Sequence, residues 1–297
     1  MKKGICFILC AASFFVSRSQ VMTDSVLVEN HYRAFHFNKP AQATGNFNLV
    51  FLLHGSNGDG YGMIKPAASL QHISGNEHLF LVYPDGYKKY WNECRGAATS
   101  DANRENINEQ AFFDSMVHYF ATHYNVNAHH FFAIGISGGG HMAYKLAMTM
   151  PDKCKAITAV VANLPDSANL DCAETKIPVA VMIINGTNDG VNPYDGGQMM
   201  VNGSSYGGVR STENTFLYWA HLAGYKGNPA VKNLPDRDTT NKQTITRYTF
   251  KEKGKPEVSL LKVIGGEHAF PGDVDAFTES ALFFKRENLL DMKAGNR

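Results

Sequence analysis

Short runs of apolar and β-branched residues recur along the chain: Asn48–Leu53, Leu79–Tyr83, His130–Ile136, Ala156–Ala162, Val179–Ile184 and Val258–Ile264. Each has the length of a strand and ends near Gly, Pro, Asn or Asp, which predicts buried strands. Helical periodicity fills the gaps. Asn108 is a candidate cap for a helix whose Phe112, Phe113, Met116, Val117 and Phe120 fall on one face. That stripe follows the helical period toward a sheet, so it reads as core and not as a lipid groove. A second helix is expected from Gly138, carrying Met142, Ala143, Leu146 and Ala147, and two more over Thr212–Leu222 and Asp273–Phe284. Alternating strands and helices predict an α/β chain: a mostly parallel central sheet with helices on both faces. Chemistry in such a sheet belongs at the carboxyl ends of its strands.

One of those strand ends carries Gly135-Ile136-Ser137-Gly138-Gly139. It lies between a predicted strand and a predicted helix, the context of a G-x-S-x-G nucleophile elbow. A sharp turn there lifts the serine hydroxyl above the sheet. Glycines on either side let strand and helix approach. The helix N-terminus adds positive potential beside the oxygen. A bare capping serine would give the same five letters. The other strand ends decide between the two.

A serine hydroxyl needs a base, and the base needs an acid to orient it. In this arrangement the chain order is Ser, then Asp or Glu, then His. The Val179–Ile184 run ends in Asn185-Gly186-Thr187-Asn188-Asp189-Gly190. The Val258–Ile264 run ends in Gly265-Gly266-Glu267-His268. Asp189 and His268 are therefore the candidate acid and base. Asp195 is a rival acid, placed further from its strand. The Asn48–Leu53 run leads into His54-Gly55-Ser56-Asn57-Gly58. A glycine turn at that point can aim backbone amides at an oxyanion, and the candidates are the N–H groups of Ser56 and Gly138. His54 precedes the acid in the chain, so it is expected to be buried and to support the loop.

Charge and cysteine content narrow the class. The 28 Lys and Arg nearly balance the 27 Asp and Glu, and Lys2, Lys3 and Arg18 all fall in the first 19 residues. Without those residues the balance is 25 basic to 27 acidic. A nucleic-acid binder needs a basic excess, so that class is disfavoured. With hydrophobics at 44% and charged residues at 19%, the chain is expected to be globular. Two lysines, an uncharged run of 13 residues from Gly4 to Val16, and small Ser17 and Ser19 before Gln20 read as an export signal over residues 1–19. A lipoprotein reading through Cys10 is weaker, because bulky Phe7 and Leu9 flank it. The run is too short for a bilayer, which needs roughly 20 residues. Cleavage leaves Cys94, Cys154 and Cys172, which suggests one disulfide and one free thiol. Cys154 and Cys172 are nearest in sequence, but sequence does not set the pairing. The cysteines lack metal-ligand spacing, so no metal site is expected. Neither repeats nor linkers interrupt residues 20–297, which read as one domain.

With these residues quoted, the chain resembles the secreted esterase and poly(3-hydroxybutyrate) depolymerase family of the α/β-hydrolases, which is related to feruloyl and acetylxylan esterases. The likeness runs from about Asn48 to Phe284. It is carried by FLLHGSNGDG at 51–60, VYPDGYKKYWN at 82–92, YNVNAHHFFAIGISGGGHMA at 124–143, NGTNDGVNPYDGG at 185–197 and GGEHAFPG at 265–272. The resemblance implies Ser137 as nucleophile, Asp189 as acid, His268 as base and the Ser56 amide as an oxyanion donor. It implies a wall formed by Tyr83-Pro84-Asp85-Gly86 and Trp91, with Trp91 as a candidate substrate contact. It implies hydrolysis of a carboxylic ester, polymeric or small, without organic cofactor or metal, by an exported protein. The chain departs from the family at Glu109-Gln110, where many members have an acidic pair, and at Tyr225 and Lys251, where relatives often have cysteines. Members that degrade insoluble polymer often add a binding module; this chain stops soon after its last helix, which favours soluble or oligomeric esters. Acyl or feruloyl groups on polysaccharide compete with hydroxyalkanoate oligomers as substrates. A serine peptidase and an exported binding protein with an idle triad are the rival functions.

Overall fold

The computed structural model describes residues 21–38, 46–201 and 203–294. The expected export signal over 1–19 lies outside them. The strands are β1 (Val21–Val28), β2 (His31–Asn38), β3 (Phe47–Leu53), β4 (Leu79–Pro84), β5 (Val126–Ile136), β6 (Cys154–Val160), β7 (Ala180–Gly186), β8 (Gly197–Val201), β9 (Ser204–Val209), β10 (Ala230–Asn233), β11 (Thr244–Phe250) and β12 (Val258–Ile264). The helices are α1 (Gly60–Met63), α2 (Ala68–Ser74), α3 (Asp101–Arg104), α4 (Glu109–His123), α5 (Gly138–Thr149), α6 (Thr212–Leu222) and α7 (Ala276–Ala294).

All but two strands form one sheet, in the order β1-β2-β4-β3-β5-β6-β7-β12-β11-β10. From β4 to β12 neighbouring strands run parallel, while β1, β2, β10 and β11 extend the two edges antiparallel. The parallel centre is the part legible as continuous apolar runs, because those strands are buried on both faces: β3, β4 and β7 are buried at every residue. The edge strands carry mixed or exposed patterns, as in β1 and β10, and give no such signal.

Helices α4, α5 and α6 cover one face. Their Phe112, Phe113, Phe120, Met142, Leu146 and Trp219 pack on Leu49, Phe51, Phe131 and Ile183. Helices α1, α2 and α7 cover the other, where Met63, Leu70, Phe277 and Phe283 meet Val50, Leu52, Ile134 and Leu261. Asn108 caps α4 by accepting from the Ala111 N–H at 3.0 Å. Several boundaries differ from expectation: β5 begins at Val126, four residues before His130, and α7 runs on to Ala294. Strand β6 stops at Val160 because Val161 has φ +47°, outside any strand. Helix α7 starts at Ala276, three residues after Asp273, whose carboxylate instead accepts the amides of Arg237 and Asp238.

The disulfide joins Cys94 to Cys172, and the free thiol is the buried Cys154. Nearness in sequence is a poor guide here, since the bonded pair is 78 residues apart. Tyr225 and Lys251 make polar contacts: the Tyr225 hydroxyl donates to the Pro256 carbonyl at 3.1 Å, and Lys251 pairs with Glu257 at 3.0 Å.

Two predictions follow from this packing. Replacing Cys94 and Cys172 by Ala should lower unfolding stability by about 2–4 kcal/mol, measured as a urea midpoint shift at constant slope. The second concerns Glu287, whose carboxyl is pushed up from 4.5 to about 7 by burial and by neighbouring Glu257. The folded state then holds a proton that the unfolded state has released. Stability should therefore fall as pH rises from about 4.5 to about 7, and Glu287→Gln should flatten that slope in urea titrations.

Candidate active site

Ser137 fills the single position between β5 and α5, with φ +53° and ψ −119°. A non-glycine residue there costs about 1–3 kcal/mol and persists only where its surroundings dictate it. Two backbone bonds fix the turn: Ser137 N–H to the Val160 carbonyl at 2.9 Å, and His141 N–H to the Ser137 carbonyl at 3.0 Å. Close backbone packing does the rest. A Cβ on Gly135 would sit 2.0 Å from the Gly139 carbonyl oxygen, and one on Gly139 would sit 2.2 Å from that of Leu53. Although Ser137 occupies the cap position of α5, its hydroxyl makes no capping bond. It lies 2.8 Å from His268 Nε2.

Asp189 is 2.8 Å from His268 Nδ1 through its Oδ2. Its Oδ1 accepts the amides of Val191 and Asn192, both at 2.8 Å. The Asp189 side chain is fully buried, while that of His268 keeps 22% exposure. A carboxylate can only accept, so Nδ1 carries the proton and Nε2 offers its lone pair to the Ser137 hydroxyl. The loops holding acid and base are fastened together: Asn188 N–H donates to the Gly266 carbonyl at 2.8 Å, and Gly265 N–H to Thr187 Oγ1 at 2.9 Å.

Ser56 lies beside Gly138, since a Cβ on Gly138 would stand 3.0 Å from the Ser56 nitrogen. The Ser56 amide donates to no backbone carbonyl among the described residues. The Gly138 amide opens α5, where first-turn N–H groups lack helical acceptors. Both amides are thus available at one spot next to the Ser137 hydroxyl. His54 holds this turn. Its Nε2 accepts the Gly86 N–H at 2.9 Å and its Nδ1 donates to the Gly55 carbonyl at 2.8 Å. Burial pushes the ring's pKa down, which keeps this neutral tautomer.

Trp91 requires a correction. It is 2% exposed, its indole N–H donates to the His54 carbonyl at 2.9 Å, and its ring packs against His54. A side chain so enclosed supports the turn from below and presents no surface to a substrate. The Tyr83–Gly86 segment is likewise internal: Asp85 Oδ1 accepts the Gly60 N–H at 2.7 Å. Asp195 is exposed and takes no part in the His268 contact. Glu109 is buried, pairs with Arg33 at 3.0 Å and accepts the Asn92 N–H at 3.1 Å, so a single acid supports that loop.

The sequence reading missed the residues that fasten the acid side of the site. Asn185 bonds both the N–H and the carbonyl of Ala162, as well as Asn163 and Thr212. Asn192 accepts the Asn163 N–H at 3.0 Å. A polar Asn closing an otherwise apolar run was the available signal. Arg95, 1% exposed, pairs with Glu93 at 2.7 Å, stacks over Tyr206 and donates to the Met199 sulfur, which ties the β8–β9 hairpin to the site. Among the described residues no three His, Cys, Asp or Glu side chains gather as a metal site.

A serine, a histidine and a buried aspartate stand in one hydrogen-bonded line, on a strand-turn-helix of a mostly parallel sheet with the α/β-hydrolase architecture. Acetyl xylan esterase from Aspergillus awamori has the same fold, with TM-score 0.56 and 15% identity over 89% of this chain and 99% of that one. No family model matches the chain. Feruloyl esterase C of Emericella nidulans is 28% identical over 160 residues, covering 52% of this chain and 53% of that protein. Feruloyl esterase D of Neurospora crassa is 28% identical over 130 residues, 44% of this chain and 40% of its own. The chain thus has the α/β-hydrolase fold and is similar in sequence to esterases over about half of its length. It spans about half the length of the first relatives it matches.

His54→Ala should cost about 1–3 kcal/mol in urea unfolding, because it leaves the buried Gly86 N–H without its acceptor. A neutral result would mean that water replaces the imidazole.

Proposed function

We propose that the protein is a serine carboxylester hydrolase in which Ser137 attacks the ester carbonyl, with residues 20–297 forming one catalytic domain. His268 Nε2 takes the hydroxyl proton as the Oγ–C bond forms. The resulting oxyanion rests on the amides of Ser56 and Gly138. Asp189 holds the His268 tautomer and stabilises the imidazolium. The proton passes to the leaving alcohol, the ester C–O bond breaks, and water repeats the cycle on the acyl-enzyme. The observation that carries this reading is the pair of 2.8 Å contacts from Asp189 through His268 to Ser137. The similarity to feruloyl esterases C and D supports acyl or feruloyl esters of polysaccharides, or small esters, over hydroxyalkanoate oligomers.

We read the protein as exported after loss of residues 1–19. The Cys94–Cys172 bond supports this, because such bonds persist in oxidising compartments. Among the described residues no helix is long and apolar enough to cross a membrane.

A fluorophosphonate probe should label Ser137, located by mass mapping of the adduct. Ser137→Ala should remain folded and lose roughly 10⁴-fold or more in kcat/KM on a short p-nitrophenyl ester. Folded protein that takes no label, or a variant that retains turnover, would overturn the assignment. Among natural esters, methyl ferulate should be cleaved faster than hydroxybutyrate oligomers.

A further inference from the structure

Helix α5 opens with Gly138, Gly139 and Gly140, so the first side chain it offers after Ser137 is that of His141. The proposed reaction makes no use of this residue. Its backbone N–H donates to the Ser137 carbonyl at 3.0 Å, and the residue is 2% exposed. Positions four apart on a helix share a face, and helical side chains lean toward the N-terminus, so the ring is carried on the nucleophile's side of α5. It faces the carbonyl of Asn163, in the turn that follows β6. Asn163 is fully buried, and among the described residues no other donor reaches that carbonyl. A carbonyl only accepts, so the nearer ring nitrogen carries the proton. The approach stops short of a full hydrogen bond, and the other ring nitrogen has no partner among the described residues. Burial, with Arg95 and His268 adding to it, pushes the ring's pKa well below its ordinary value, so the imidazole stays neutral. An unpaired buried nitrogen costs stability, which an apolar side chain of similar size would not.

The turn that His141 faces holds both ends of the triad. At its start the Val160 carbonyl accepts the Ser137 N–H at 2.9 Å. Further on, Asn163 grips the acid turn twice. Its N–H donates to Asn192 Oδ1 at 3.0 Å, and its Nδ2 donates to the Pro193 carbonyl at 3.1 Å. The Asn192 N–H in turn donates to Asp189 Oδ1 at 2.8 Å. Helix α5 presses on the same turn on either side of His141. A Cβ on Gly140 would stand 2.7 Å from that of Ala162, and the Tyr144 hydroxyl donates to the Ala162 carbonyl at 3.2 Å. Val161, also in this turn, has φ +47°, a conformation that its surroundings must impose. A continuous path therefore runs from His141 through Asn163 and Asn192 to Asp189.

We propose that His141 is a positioning residue for the reaction: it braces the Asn163 carbonyl, and through Asn163 and Asn192 it sets the separation of Asp189 and Ser137 that His268 must span. The inference rests on the esterase reading and adds to it a residue that touches no reacting atom.

His141→Phe keeps the bulk of the ring and removes the donor, whereas His141→Gln keeps a donor. On p-nitrophenyl acetate, His141→Phe should lower kcat roughly tenfold with KM within about twofold, because misplaced catalytic groups slow the chemical step. His141→Gln should recover most of that loss, to within about threefold of the unaltered protein. In an Asp189→Asn background, His141→Phe should cost less than about twofold more, since the group it acts through is already disabled. Should His141→Phe not fold, His141→Leu enters the same comparisons. Unchanged kcat in the folded variant, no recovery with His141→Gln, or the same loss repeated in the Asp189→Asn background would each overturn the inference and leave the esterase standing. An unaltered protein that hydrolyses no ester would overturn the esterase reading and this inference with it.

Discussion

The backbone contact between helix α5 and the two central strands is the constraint on which the site depends. Gly135 and Gly139 bring the start of the helix against β5 and the end of β3, closer than any side chain would allow. That approach leaves Ser137 no conformation but a left-handed one, and it turns the hydroxyl away from the helix cap toward His268. The same contact sets Gly138 beside Ser56, so Ser137 and these two neighbours are positioned by one packing event. The strain at Ser137 is offset by burial of β3, β5 and α5 in the cores on both faces of the sheet.

Around that contact, polar side chains do what regular secondary structure cannot. The loops at the carboxyl ends have backbone groups with no ladder to join, and buried groups must find partners. His54 closes the oxyanion turn, Glu109 and Arg33 hold the neighbouring loop, and Asn185, Asn163, Asn192 and Thr212 lock the acid side. Val161 sits in the middle of the last group at positive φ, a costly place for a β-branched residue. Its neighbour Ala162 is clamped at both N–H and carbonyl by Asn185, which explains how that conformation persists. The Asp189 side chain is enclosed by these bonds, while His268 and Ser137 keep some access to solvent.

Longer connections surround this part of the fold. The β8–β9 hairpin joins neither the sheet nor a helix layer, and is held instead by Arg95 through Met199 and Tyr206. Arg95 itself is kept in place by Glu93 and by the adjoining Cys94–Cys172 bond. A buried ion pair is weak evidence of stability but a good device for fixing geometry. Here it holds Arg95 in the position from which it reaches Met199 and Tyr206 of the hairpin.

The sequence by itself determined the parallel centre of the sheet, the four main helices and the order Ser137, Asp189, His268. Each rests on a local pattern: an apolar run, a 3.6 period, or a polar residue just past a strand. Parallel topology then sends all such ends to one edge, so the meeting of Ser137, Asp189 and His268 could be expected without knowing which strands are neighbours. Only the tertiary structure decided what depends on distant segments meeting. It placed Cys94 with Cys172 across 78 residues, added antiparallel edge strands, and buried Trp91 beneath the turn it was expected to face. It also assembled the asparagine network from loops far apart in the chain. Local periodicity reports whether a residue is buried. It does not report against what, because that is set by strand order and loop path, which no short stretch of sequence contains.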